Sequence, residues 1–201
     1  MAETRSQERR YRRTEAMILN GLTHLLRQKK IKDITVRELA DLVDINRSTF
    51  YMHYSDIYDL LEKTEQRLLE QLRSAAEHEW KSEFSPNHFF RFLEQTFTIL
   101  AENAQLCAVL LGPNGDIGFL RTIEELVREK GLQTMRSFAP KTIHENDLQY
   151  TITYALSGCT GLITHWLNNN CSETPTHMAE LCMLLLREGI SPIKATGEVE
   201  V

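Results

Sequence analysis

Between Ile18 and Leu185 the apolar residues of this 201-residue chain return every three or four positions, and nowhere do they alternate over a strand-length run. That period folds into α-helices with one buried stripe and leaves no material for a sheet. Ile18, Leu22, Leu25 and Leu26 share one stripe, and Val36, Leu39, Ala40 and Val43 another. Ile57, Leu60, Leu61, Thr64, Leu68 and Leu72 form a third, followed by Phe89, Leu93, Phe97 and Leu100. Phe119, Ile123, Leu126 and Val127 come next, then Ile152, Leu156, Cys159, Ile163 and Trp166, and last Met178, Leu181, Cys182 and Leu185. The pattern predicts an all-α fold.

Breakers cut these stripes into about nine helices. The first is expected from near Glu8 to Gln28. Thr35, with Glu38 three residues on, reads as a capping box for the second. A third follows Asp44-Ile45-Asn46, and a fourth starts near Ser55-Asp56. Ser85-Pro86 opens the fifth, Gly112-Pro113-Asn114-Gly115 is a loop before the seventh, and Ala139-Pro140 ends that one. The eighth spans roughly Asn146 to Leu167 and breaks at Asn168-Asn169-Asn170, and Thr174-Pro175 opens the ninth.

Composition removes several classes. With 42% hydrophobic and 25% charged residues, this is neither a disordered chain nor a fibrous one. No apolar run approaches the ~20 residues of a membrane helix, and the charged N-terminus predicts no signal peptide. Cys107, Cys159, Cys171 and Cys182 are therefore expected as reduced thiols in a cytoplasmic protein. Net charge is −5, unevenly spread. Met1 to Lys32 holds nine Lys and Arg against three Glu, whereas the chain beyond Leu60 carries −7. A basic arm on an acidic chain suggests a polyanion contacted at one end, although a solvated first helix would look the same.

The segment from Thr35 to Tyr54 carries the chemistry. A short helix, a three-residue turn and a second short helix have the dimensions of a helix-turn-helix. Ala40 is the small residue expected where the helices cross, and Asp44 the one expected to take left-handed backbone in the turn. Leu39, Val43, Ile45 and Phe50 are the apolar clamps. The second helix then offers Asn46, Arg47, Ser48, Thr49, Tyr51 and His53, groups able to face a major groove and its flanking phosphates.

Residues 10–70 resemble the DNA-binding domain of TetR-family transcriptional regulators. The resemblance lies in the basic-led first helix, the Thr-capped second helix, and the run Phe50-Tyr51-Met52-His53-Tyr54 before Ser55-Asp56-Ile57-Tyr58-Asp59-Leu60-Leu61. The segment Ala155 to Asn168, with its small residues and Trp166, resembles the ligand domain of the Firmicutes-type branch. The resemblance implies a helix-turn-helix domain at 10–70, a ligand-binding and dimerisation domain at 71–190, and a loose tail at 191–201. It implies that Thr35 caps the second helix and touches a phosphate, and that Arg37 and Arg47 read base edges. Ser48, Thr49, Tyr51 and His53 would fix register on phosphates, with Phe50 and Tyr54 left as core. One departure stands out: many relatives place Lys where this chain has Ile57. Arg9, Arg10, Arg12 and Arg13 are the residues that could compensate.

The same resemblance implies a homodimer built on the last two long helices. Gly158 and Gly161, each costing ~1 kcal/mol inside a helix, mark a close approach of another helix, either from a second copy or from the same chain. The expected interface holds Gly158, Gly161, Leu162, Trp166, Met178, Leu181 and Leu185. A small-molecule pocket is expected among Phe89, Phe92, Phe97, Phe119, Tyr150, Tyr154 and Trp166, residues that could equally be plain core. Cys159, His165, Cys171 and His177 recur every six residues, but at ~100° per residue neighbours do not share a helix face. No metal or cofactor is expected, and no nucleophile elbow, phosphate loop or carboxylate pair suggests an enzyme. The sequence thus predicts a homodimeric repressor of a pseudo-palindromic operator, modulated by a small ligand. The alternative is a co-regulator of the same fold that acts through a protein partner.

Overall fold

The computed structural model describes residues 2–79, 86–112, 118–125, 127–128 and 144–196, and all regular structure among them is helical. The chain divides into two compact units. The first is Met1–Leu68 with Val109–Asp116, and the second is Leu69–Ala108 with Ile117–Val201.

The first unit contains α1 (Ala2–Leu26), a 3₁₀ turn (Ile31–Asp33), α2 (Val36–Leu42), α3 (Arg47–Tyr51) and the start of α4 (Ile57–Glu79). Helix α1 begins several residues before Glu8, because Glu, Arg and Gln extend a helix readily once it is nucleated. Ile18, Leu22, Leu39, Ala40, Phe50 and Leu60 are fully shielded from solvent and form the centre of this unit. The small residue at the closest approach of α1 to α2 is Gly21. A Cβ there would overlap Val43 Cγ1 and stand 2.7 Å from Leu39 Cδ1. Ala40, the small residue expected where α2 and α3 cross, is buried as well. Tyr54 closes the core from the α4 side, its hydroxyl 3.4 Å from Glu15 Oε1 on α1. Burial, reinforced by the Glu15 carboxylate, pushes that phenol up to about 12.

The second unit contains the rest of α4, α5 (Pro86–Glu102), α6 (Ala104–Leu110, its end counted with the first unit), α7 (118–125), α8 (Glu145–Asn168) and α9 (Pro175–Thr196). The expected breaks at Ser85, Pro113 to Gly115 and Ala139-Pro140 lie outside the described residues. Helix α8 stops where the asparagine run predicts. Asn170 and Cys171 take left-handed backbone (φ 56 and 51), and the Cys171 N–H returns 3.0 Å to the Trp166 carbonyl. Thr174 then caps α9, accepting from the His177 N–H at 3.2 Å. Helix α9 continues past Ser191 to Thr196, where the sequence predicts a loose tail. Its Thr176 hydroxyl donates to Glu94 on α5 at 2.8 Å.

Trp166 anchors this unit. It is 1% exposed, meets Phe97 edge-on with ring centroids 5.3 Å apart, and donates from Nε1 to the Glu173 carbonyl at 3.0 Å. Met178 is likewise interior. The sequence places Met178 in an interface between copies and Trp166 in that interface or a pocket wall; within the single chain both are buried.

Candidate nucleic-acid interface

The turn between α2 and α3 is held by backbone chemistry. Thr35 Oγ1 accepts from the Glu38 N–H at 3.2 Å, half of the expected capping box. The other half is absent because the Glu38 carboxylate is drawn to Lys29 Nζ at 2.5–2.6 Å. At the far end of α2, Asp44 adopts φ 54, and the Ile45 N–H reaches back to the Ala40 carbonyl at 3.0 Å. This is a Schellman-type stop in which the residue after the cap must be left-handed. Asp tolerates that backbone because its short polar side chain can bond locally.

Helix α3 has only five residues, too few to be stable alone. Asn46 stabilises its start, Oδ1 accepting from the Ser48 N–H at 3.0 Å. Phe50 fastens its inner side to the core with no exposed surface. The outer side presents Arg47, Ser48 and Tyr51 to solvent, with Thr49 half-buried at the edge. Arg47 makes no ion pair among the described residues. Arg37 on α2 is exposed too, and its 3.8 Å pairing with Asp41 is a surface contact worth about 0.3–0.5 kcal/mol. Thr35 and Arg37 also border an open groove of about 460 Å³ between α1 and α2.

Three placements differ from a simple row of donors. Asn46 spends its side-chain carbonyl on the cap. His53 turns toward α1, where its ring stacks on Tyr11 at 4.0 Å and its Nδ1 is closed off without a partner. Burial holds the His53 pKa below its usual value, although Glu15 pulls it back up. Met52, to which the sequence reading assigns no role, is 71% exposed beside Tyr51.

Ile57 is buried at the start of α4. The neighbouring surface is acidic. Asp56 caps α4 by accepting from the Asp59 N–H, and Asp59 accepts from the Ser55 N–H, both at 2.8 Å. The Ser55 N–H, and then Lys63 at 3.0 Å, hold the Asp59 carboxyl below the usual carboxylate range. Lys63 also lies 5.5 Å over the Tyr54 ring.

In the second unit, Phe92, Phe97 and Phe119 are buried, and Phe89 is half-buried against Phe92 with ring centroids 6.3 Å apart. Tyr150 and Tyr154, expected in a pocket with them, are 75% and 65% exposed, because they stand on the side of α8 turned away from α5 and α9. Gly158 and Gly161 share that outward side, and a Cβ on either would meet nothing within 4 Å. The intrachain crossing that could have explained these glycines is therefore not there among the described residues. Leu184 and Leu185 are about half exposed on α9, and Leu162 and Leu181 are half-buried.

A capped helix-turn-helix in one helical unit and a larger helical unit beside it in sequence define a class: two-domain, all-α transcriptional regulators. The family model describing a transcriptional regulator C-terminal region of the TetR type matches residues 87–188, just over half of the chain. The chain belongs to the TetR family of transcriptional regulators. No curated protein sequence matches it. Among solved structures, a TetR-like regulator from Rhodococcus sp. is similar with a TM-score of 0.67 and 13% identity, covering 88% of this chain and 95% of that one. FadR from Bacillus subtilis, solved in complex with stearoyl-CoA, gives 0.63 and 14% over 87% and 98%. A TetR regulator from Streptococcus agalactiae gives 0.55 and 21% over 91% and 98%. At these identities the likeness is one of fold. No helix among the described residues is long and apolar enough to cross a membrane.

Proposed function

We propose that this chain is a homodimeric, operator-binding repressor whose DNA affinity is set by a small-molecule effector. The observation that carries the reading is the outer side of α3. It is a capped, core-fastened helix offering Arg47, Ser48 and Tyr51 to solvent, with the Arg47 guanidinium uncommitted. Arg47 and Arg37 read base edges, and a bidentate Arg on guanine is worth ~1–3 kcal/mol of discrimination. Thr35, Ser48, Thr49 and Tyr51 hold phosphates. Met52 supplies an apolar surface for a thymine methyl. Asn46 serves chiefly by fixing α3, and His53 by positioning Tyr11 and the end of the recognition segment. The exposed Arg9, Arg10, Arg12 and Arg13 of α1 add charge for the DNA backbone.

The second copy binds along the outward side of α8 and α9. Gly158 and Gly161 allow close backbone approach, and Tyr150, Tyr154, Leu184 and Leu185 supply apolar area that water covers in the single chain. Two recognition helices then enter successive major grooves of a pseudo-palindrome. The effector site belongs to the second unit, among the aromatic residues of α5, α7 and α8. The stearoyl-CoA complex of the Bacillus subtilis neighbour supports a small-molecule ligand for this fold. Helix α4, which contributes residues to both units, is the element through which effector and operator are coupled.

The test is a salt-titrated mobility shift on DNA from the chain's own promoter region. Arg47→Ala is expected to weaken specific binding roughly 10- to 100-fold. Binding by that variant as tight and selective as wild type would refute the recognition-helix assignment. A second reading has one observation behind it: the N-terminus of α4 displays Asp56 and Asp59 and buries Ile57 where relatives place a cation. On that reading the chain is a co-regulator acting through a protein partner, and a stable hetero-complex with no operator binding would establish it.

A further inference from the structure

No basic side chain next in sequence marks any of the four cysteines as reactive. The fold supplies a different activator for one of them. Cys159 on α8 and Cys182 on α9 bring their Sγ atoms to 3.4 Å across the packed helices. The contact is made between fixed elements, since α8 is stopped by the Cys171 N–H on the Trp166 carbonyl and α9 is capped by Thr174. Cys182 is 1% exposed, while Cys159 keeps part of its surface in solvent.

The two thiols are not equivalent. The hydrogen bond between the two sulfurs, in which either can donate, lowers the Cys159 pKa in spite of burial. That same contact, together with burial, drives Cys182 upward. The remaining cysteines show what burial does without such a partner. Cys107 is pushed up to about 12 and Cys171 is raised as well. A disulfide needs an Sγ–Sγ distance near 2.05 Å, so the pair must close by about 1.3 Å.

We propose that Cys159 and Cys182 form a modification site of this protein, a dithiol that a hydroperoxide oxidises to an intramolecular disulfide joining α8 to α9. In the first step the Cys159 thiolate attacks one peroxide oxygen. An S–O bond forms, the O–O bond breaks, and the departing oxygen leaves as hydroxide or alkoxide and takes up a proton. Cys159 is then a sulfenic acid, oxidised by two electrons while the peroxide is reduced. In the second step the Cys182 sulfur attacks the Cys159 sulfur, the S–O bond breaks, and hydroxide leaves with the Cys182 proton as water. The site stands independently of how the first unit binds DNA.

The test treats the full-length protein with hydrogen peroxide and follows it by intact mass and by non-reducing peptide mapping. The expected product is about 2 Da lighter, monomeric on a denaturing non-reducing gel, and carries one cross-linked peptide pair containing Cys159 and Cys182. Dithiothreitol restores both thiols. Cys182→Ser is expected to leave a sulfenic acid at Cys159 that dimedone traps, and Cys159→Ser to leave Cys182 unmodified. Because the mapping is done on wild-type protein, a variant that folds poorly does not decide the matter. Both thiols remaining free to alkylate at peroxide levels that oxidise Cys159-free control thiols such as glutathione would overturn the proposal. So would sulfinic acid at Cys159 with no cross-link, or a disulfide joining two copies of the chain.

Discussion

Asp44 occupies a backbone region that most side chains avoid, and the Ile45-to-Ala40 hydrogen bond requires it to do so. Gly enters that region without steric cost, whereas a β-branched residue meets its own carbonyl. Asp44→Gly should therefore keep stability within about 1 kcal/mol of wild type, and Asp44→Val should lose roughly 1–2 kcal/mol, both read from urea unfolding. His53 gives the residue scale a pH dependence. Its ring is sandwiched against Tyr11, Nδ1 has no partner, and desolvation outweighs the attraction of Glu15, so its folded pKa lies below 6.5. Between the two values the unfolded chain holds a proton that the folded chain lacks. The His53 contribution is therefore complete above about pH 6.5 and is lost as pH falls toward the folded value. His53→Gln should reduce the stability difference measured between about pH 7 and pH 5. An unchanged difference would mean that another group sets the acid limb.

At the scale of the element, α3 depends on its ends more than on its length. A five-residue helix cannot offset its nucleation cost, so the Asn46 cap and the Phe50 anchor decide whether it exists in the free protein. Asn46→Ala should cost about 1 kcal/mol and speed amide exchange from Ser48 to Tyr51, whereas Asn46→Asp should retain both. Exchange as slow in Asn46→Ala as in wild type would show that tertiary contacts alone hold the helix. The residue types made much of this legible beforehand. The left-handed Asp44, the Thr35 cap, the asparagine stop of α8 and the Thr174-Pro175 start of α9 follow from local backbone chemistry, which a sequence displays. Asn46 was ambiguous because the side chains that read bases are the ones that cap helices. Tyr150 and Tyr154 lie exposed and Met178 buried, placements the sequence does not display, because periodicity groups residues by face without saying which face meets α5. Gly21 and the Cys159–Cys182 contact join residues distant along the chain, and no local pattern encodes such pairings.

For the whole molecule, the outward face of α8 and α9 sets two effects of opposite sign against each other. Gly158 and Gly161 sit within α8, where each costs about 1 kcal/mol relative to Ala. Among the described residues neither glycine touches a neighbour that a methyl would strike. Packing among the described residues thus gives no reason to keep them, and the helix itself would be more stable with alanine. A second copy approaching along this face would supply the reason, since two added methyls per chain would hold the backbones apart and the overlap would occur twice in a twofold interface. The double substitution Gly158→Ala with Gly161→Ala should therefore raise the stability of the isolated chain by up to about 2 kcal/mol and at the same time weaken self-association. Sedimentation equilibrium across a dilution series, with thermal melts at each concentration, separates the two effects. If the dimer dissociates more readily while the dilute, monomeric species melts higher, the glycines serve pairing. If association is untouched and only the melting temperature rises, the copies meet on some other surface, and the exposed Tyr150, Tyr154 and Leu185 need a different partner.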